Sequence, residues 1–207
     1  MSNPWLAIPL CDYEQHMSLP EVQQLGALAD LFAKAVAICS PASVAILGIA
    51  GGNGLERIDG KITKRIVGLD VNPDYLKAVR QRHRGISGLE LYCVDLAEKL
   101  VQLEPVQLVH AALVFEHAGT GHCLENALEL VAAHGTVSVV LQLPSQLEQS
   151  VAPTGIPSMQ QLKSQFTFVD PDWLRQTLEA RGFRLTHDVR YDLPAGKSFW
   201  MGLFGRQ

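Results

Sequence analysis

Short continuous apolar runs alternate along this chain with stretches in which apolar residues recur every three or four positions. That alternation predicts buried strands separated by amphipathic helices. Val44, Ala45, Ile46 and Leu47 form the first run, and Arg65–Val71, Leu89–Val94, Val106–Phe115 and Thr136–Leu143 read as the next four strands. Between and around them, Glu21–Ile38 places Val22, Leu25, Leu28, Leu31, Phe32 and Ala35 at helical spacing and stops at Ser40-Pro41. Asn72 followed by Pro73 supplies a cap and first position for another helix, Leu124–Ala133 is closed by Gly135, and Asp170-Pro171 opens a helix that runs to Arg181 before Gly182. Phe183–Leu193 and Ser198–Phe204 read as a closing hairpin joined by Pro194-Ala195-Gly196-Lys197.

Repeated strand–helix units demand an α/β architecture, a doubly wound and mostly parallel sheet covered on both faces. Ligands of such sheets lie above the carboxyl ends of the strands. A single domain over residues 1–207 is expected, with residues 1–40 as an arm and helix able to act as a lid and residues 144–169 as a flap.

Composition narrows the function classes. An apolar content of 47% against 18% charged residues describes a globular chain with a real core. The net charge of −4 offers no general attraction to nucleic acid, and Lys77–Arg84 reads as a solvated helix face. No apolar run approaches the roughly 20 residues that span a bilayer. Cys11, Cys39, Cys93 and Cys123 are scattered without a C-x-x-C pair, so they are expected as buried thiols in a reducing cytoplasm.

The chemistry concentrates at strand ends. After the first strand the chain breaks into G-I-A-G-G-N-G, where Gly48, Gly51, Gly52 and Gly54 let backbone pass close to a ligand, and Leu55–Ile58 is expected to begin a helix. The spacing matches neither the dinucleotide fingerprint nor the nucleoside triphosphate loop. Asp70 ends the second strand, where a carboxylate accepts hydrogen bonds from ribose hydroxyls. Asp95 ends the third, where it and Leu96 suit an adenine edge as well as a helix cap. Glu116 and His117 leave the fourth strand at its carboxyl end, whereas His110 lies inside an apolar run and reads as a core histidine. His117, His122 and Cys123 have no standard metal spacing, so no metal is expected. In the N-terminal arm Tyr13, His16 and Met17 fall on one helical face and are candidates for closing over a substrate.

Taken together, V-A-I-L-G-I-A-G-G-N-G-L, V-G-L-D-V, L-Y-C-V-D-L and L-V-H-A-A-L-V-F-E-H resemble, in that order, the class I S-adenosylmethionine-dependent methyltransferases over Ser43–Gln207. The resemblance implies a seven-stranded sheet with an antiparallel last strand and S-adenosylmethionine as cofactor. It implies cofactor contacts from Gly48, Ala50, Gly52, Asn53, Gly54, Asp70, Val71, Asp95, Leu96, Leu113 and Phe115. The sequence departs from the family at Gly48 and Gln107, where acidic residues are frequent, and at Ala50, where glycine is frequent. Methyl transfer from a sulfonium needs mainly alignment; if the acceptor must lose a proton, His117 is the first candidate base, with Glu116 and His16 behind it. No Asn-Pro-Pro-aromatic segment follows the fourth strand, which points to a small-molecule acceptor rather than a nucleic acid base. Two other readings stay open on sequence alone: a non-catalytic cofactor-binding regulatory or partner protein, and a nicotinamide-dependent reductase.

Overall fold

The computed structural model describes residues 3–145, 151–152, 154–193 and 196–207. Seven strands form one sheet: β1 (Ser43–Leu47), β2 (Arg65–Asp70), β3 (Leu89–Cys93), β4 (Val106–Ala112), β5 (Val131–Gln142), β6 (Phe183–Asp192) and β7 (Ser198–Arg206). Their order is β3-β2-β1-β4-β5-β7-β6, with β3, β2, β1, β4 and β5 paired in parallel and β7 antiparallel to both β5 and β6. The doubly wound sheet with an antiparallel last strand is therefore present as expected.

Period-two alternation distributes each strand between two cores. Ala45, Leu47, Val67, Leu69, Val109 and Ala111 point to one face, where they meet Leu124 and Leu128 of α5 (His122–Glu129) and Leu174 and Leu178 of α6 (Pro171–Glu179). Val44, Ile46, Ile66 and Leu108 point to the other, against Leu31, Phe32 and Ala35 of α2 (Gln24–Cys39) and Leu76 and Val79 of α3 (Pro73–Arg82). With both faces covered, the central strands are apolar throughout, which is why they read as unbroken runs. His110 sits in this interior with Nδ1 3.0 Å from Ser138 Oγ, its register neighbour on β5, and its ring 4.9 Å from Phe32.

Several expectations change. No helix follows the glycine turn; Leu55–Arg57 makes a single 3-10 turn. Gly54, in the left-handed region at φ +92°, and the Asp59 turn, whose Oδ1 accepts from Lys61 N, leave no room to propagate one. The fourth strand stops at Ala112, and Phe115–Ala118 winds into the short α4. Helix α5 ends at Glu129, earlier than expected, because Val131 already pairs with Val106. Among the cysteines Cys123 is buried and Cys39 half-buried, while Cys11 and Cys93 are exposed, so the buried-thiol expectation holds for Cys123 alone. No helix of the described residues is long and apolar enough to cross a membrane.

The expected lid and flap segments pack on one another. Ile8 joins Val151, Ile156, Met159 and Leu162 in a third, smaller core flanked by Trp5, Tyr13 and Phe166. Residues 146–150 and 153 of the flap, and Pro194 and Ala195 of the hairpin, lie outside the described residues.

Candidate active site

Parallel strands deliver their carboxyl ends to one edge of the sheet, and there a cavity opens. It encloses about 1020 Å³ of empty space, its open mouth included. Gly48 and Ala50 after β1, Asp70 and Val71 at β2, Val94 to Leu96 after β3, and Ala112 to Val114 after β4 line it from below.

The turn after β1 is held by the end of β2. Gly48 N and Ile49 N both donate to Leu69 O, at 2.9 and 3.0 Å. Ala50 N donates to Asp70 Oδ2 at 2.8 Å, and Asn72 N donates to Asp70 Oδ1 at 2.9 Å. The Asp70 carboxylate thus shapes the turn and still has lone pairs for ligand hydroxyls. Burial raises its carboxyl to about 6, against the backbone hydrogen bonds from Asn72, Ala50 and Val71 that oppose the rise. Ala50 and Leu113 both adopt left-handed backbone, at φ +47° and +55°. For Ala50 this explains why glycine suits the position, and each non-glycine residue held there stores about 1 kcal/mol or more of strain at the cavity rim.

Other glycines of the turn serve packing. A Cβ on Gly52 would meet the His83 ring at 2.9 Å, and one on Gly54 would meet Phe32 at 3.0 Å. Neither lines the cavity, nor does Asn53, whose Nδ2 donates to Leu25 O at 2.7 Å. Phe115, also expected at the cofactor, is 1% exposed and belongs to the core shared with α5 and α6. The structure thus places Gly52, Asn53, Gly54 and Phe115 outside the cavity lining and in packing or backbone contacts.

The N-terminal arm roofs the cavity. Asn3 Nδ2 donates to Asp95 Oδ2 at 2.8 Å, while Asp95 Oδ1 accepts from Ala97 N at 3.0 Å in the expected cap. Asn72 Nδ2 donates to Trp5 O at 2.9 Å and Tyr75 OH donates to Ile8 O at 3.0 Å. Helix α1 (Leu10–Ser18) then brings Tyr13, His16 and Met17 into the lining together. Glu14 of α1 pairs with Arg82 of α3. On the flap side Ser158 Oγ donates to Asp12 Oδ2 at 2.6 Å and His16 Nδ1 lies 2.7 Å from Thr154 Oγ1. Tyr13 is pushed well above its ordinary range by burial first and then by the Asp70 charge, so it stays a neutral phenol.

His117 and Glu116, neighbours in sequence, part company. The His117 ring lines the cavity, edge-on to Trp5 at 5.0 Å and to Phe166 at 5.3 Å. Its Nδ1 is buried with no hydrogen-bond partner among the described residues, and burial lowers its pKa to about 4. Glu116 points away from the cavity: Oε1 accepts from Gln142 N at 2.8 Å, and Oε2 is buried without a partner among the described residues. Burial raises Glu116 to about 7. His16 is lowered to about 4, by burial and then by the charge of Lys197.

Gln24, Tyr75, Gln142, Phe166 and Lys197 also line the cavity, and none stands out in the sequence as a site residue. Lys197 sits in a turn that reads as solvent-exposed yet is 3% exposed, because β7 starts where β5 ends. Among the described residues no group of three or more His, Cys, Asp or Glu side chains is placed to hold a metal ion.

No family model matches the sequence, and no curated protein matches it. Solved structures do match in shape. The N-methyltransferase NodS from Bradyrhizobium japonicum WM9, in complex with S-adenosyl-l-homocysteine, is similar with a TM-score of 0.69 at 13% identity over 99% of each chain. Magnesium protoporphyrin IX methyltransferase from Synechocystis PCC 6803, with bound S-adenosylmethionine, gives 0.63 at 11% identity over 93% of this chain and 83% of that one. The [4+2]-cyclase SpnF gives 0.67 at 13% identity over 89% and 82%. With the strand order and the strand-end cavity, these likenesses show that the chain has the class I S-adenosylmethionine-dependent methyltransferase fold.

Proposed function

We propose that this chain transfers the methyl group of S-adenosylmethionine to a small-molecule acceptor. The observation that carries the reading is the convergence of the β1 turn, Asp70, Asp95 and Leu113 on one cavity. Those residues fit the cofactor. Asp70 keeps free lone pairs for ribose hydroxyls, and Leu96 offers an apolar surface for a base beside Asp95. The methionine portion would pass Gly48 and Ala50. The cofactor, when bound, supplies a methyl group already activated on a sulfonium.

The protein's part is then to exclude water and to align the acceptor, work that suits a roof made of the arm and the flap. His117 faces the same cavity and is neutral at pH 7, so it is the group we assign to receive a proton from the acceptor. The roofed cavity and the net charge of −4 support a small acceptor over nucleic acid.

Calorimetric and thermal-shift titration with S-adenosylmethionine, S-adenosylhomocysteine and NADH tests the cofactor. Either sulfur ligand at a hundred times its Kd stabilises by about 2.7 kcal/mol, and Asp70→Asn binds both at least tenfold more weakly. Stabilisation by NADH with silence from both sulfur ligands refutes the reading. Methyl transfer to an acceptor, followed with labelled cofactor, separates this activity from other chemistry on the same fold.

A further inference from the structure

Both backbone polar groups of Trp5 are taken by residues that also hold the two carboxylates of the cavity. Trp5 N donates to Asn3 Oδ1 at 3.1 Å, and the same Asn3 side chain donates through Nδ2 to Asp95 Oδ2 at 2.8 Å. Trp5 O accepts from Asn72 Nδ2 at 2.9 Å, and Asn72 N donates to Asp70 Oδ1 at 2.9 Å. Trp5 is thus tethered at two points to the ends of β2 and β3.

Its ring reaches the other way, to the residues that follow β4. The indole meets the His117 imidazole with centroids 5.0 Å apart and planes at 88°, and Tyr13 backs it at 5.7 Å and 71°. Phe166 closes on the same imidazole at 5.3 Å and 81°. Two near-perpendicular ring contacts favour one orientation of the imidazole, because edge-to-face pairs are directional. The two contacts are secured differently. Thr167 N donates to Glu116 O at 2.9 Å, so Phe166 is carried by a segment tied to α4 itself. Trp5 is carried by the arm, whose ties run to Asp95 and Asn72.

We propose that Trp5 is a positioning residue for His117, fixing the imidazole and keeping water from it while the arm is tied to the ends of β2 and β3. The inference rests on His117 as the proton acceptor and on the cofactor at Asp70 and Asp95. A base set by the contacts that cover the cofactor takes a proton only in a closed site. The His117 Nδ1 is buried with no partner among the described residues, a state that water reaching the ring would relieve. Asp70, Asp95, Tyr13, His16, Tyr75 and Lys197 share the cavity with the ring, and Glu116 turns away toward Gln142. Burial is nonetheless what lowers the imidazole to about 4, so its pKa reports whether the ring is dry.

NMR titration of protein with labelled histidines follows the ring directly and needs no acceptor; His117→Gln assigns its signal. In Trp5→Leu the His117 pKa should rise by about 1 or more toward its ordinary 6.5, and Trp5→Phe, which restores a ring, should return it to within about 0.5 of wild type. Asn3→Ala keeps the indole but cuts the tether at Asp95, and should move His117 in the same direction as Trp5→Leu. His110, buried beside Ser138 and also lowered to about 4 by burial, is the internal control and should not move in any variant. A wild-type His117 near 6.5, or one unmoved in Trp5→Leu, overturns the role; so does a rise shared by His110, which would mean that the whole domain has loosened. Asn3→Ala without effect overturns the tether, and it decides the matter if Trp5→Leu does not fold. If S-adenosylhomocysteine does not bind wild type, or His117→Gln leaves turnover unchanged, the proposed function fails, and the titrations of the unliganded protein still decide the role of Trp5.

Discussion

Glu116→Gln is expected to gain stability relative to wild type as the pH rises. The Glu116 carboxyl is 1% exposed, and burial moves it from its ordinary 4.5 to about 7. Between those values the folded chain holds a proton that the unfolded chain has released, so wild-type stability falls as the pH climbs through the window. At 1.36 kcal/mol per pKa unit, the shift amounts to about 3 kcal/mol lost by pH 8 on account of this one group. Glutamine keeps an oxygen for Gln142 N but cannot ionise. Its amide nitrogen would sit where Oε2 has no partner among the described residues, a cost of about 1–3 kcal/mol that does not vary with pH. The informative quantity is therefore a double difference: the stability of Glu116→Gln minus that of wild type, from urea unfolding at pH 5 and at pH 8.5. It should move by about 2 to 3 kcal/mol in favour of the variant at the higher pH. A difference that stays flat across the two pH values would refute the buried, proton-holding carboxyl.

Further outcomes follow from other parts of the site. His117→Gln should lower turnover of any acceptor that must lose a proton by about 100-fold or more, with S-adenosylhomocysteine affinity within twofold of wild type. Because the imidazole titrates at about 4, the wild-type rate should be flat from pH 6 to 8 as far as His117 is concerned and fall toward pH 4; a pH profile unchanged in the variant would remove the base role. Arg82→Met breaks the pair with Glu14 that ties the arm to α3, and both side chains are partly exposed. Unfolding should therefore change by less than about 1 kcal/mol, while the S-adenosylhomocysteine off-rate measured by stopped flow should rise several-fold. Gly88→Ala would drive a Cβ into the Lys64 carbonyl at φ +76° and is expected to lose about 3 kcal/mol or more by urea unfolding.

Much of the architecture was legible because local chemistry and global fold agree. Apolar runs such as Val44–Leu47 are buried on both faces of a parallel sheet, so burial alone writes the strand into the sequence. Asn72-Pro73 and Asp170-Pro171 are caps whose side chains do accept from Asp74 N and Asp172 N, so those helix starts could be read residue by residue. That Asp70, Asp95 and His117 line one cavity could be read from position, since strand ends in such sheets converge on one edge. That Gly52, Asn53, Gly54 and Phe115 stand off the cavity lining was not legible, because a glycine needed for close packing has the same local signature as one needed for a ligand, and an aromatic after a strand can turn either way.

What only the tertiary structure decided involves partners distant in sequence. Glu116 and His117 are adjacent, yet the short helix α4 sends one into the protein against Gln142 and the other into the cavity against Trp5 and Phe166. Asn3 reaches Asp95 across ninety-two positions, making the arm a roof rather than a tail. Lys197 lies in a turn that any local rule leaves in solvent, and it is buried because an antiparallel β7 must begin where β5 ends. Periodicity and capping record what a residue does for its own element; which strand end a side chain finally faces is set by the order in which the strands pair.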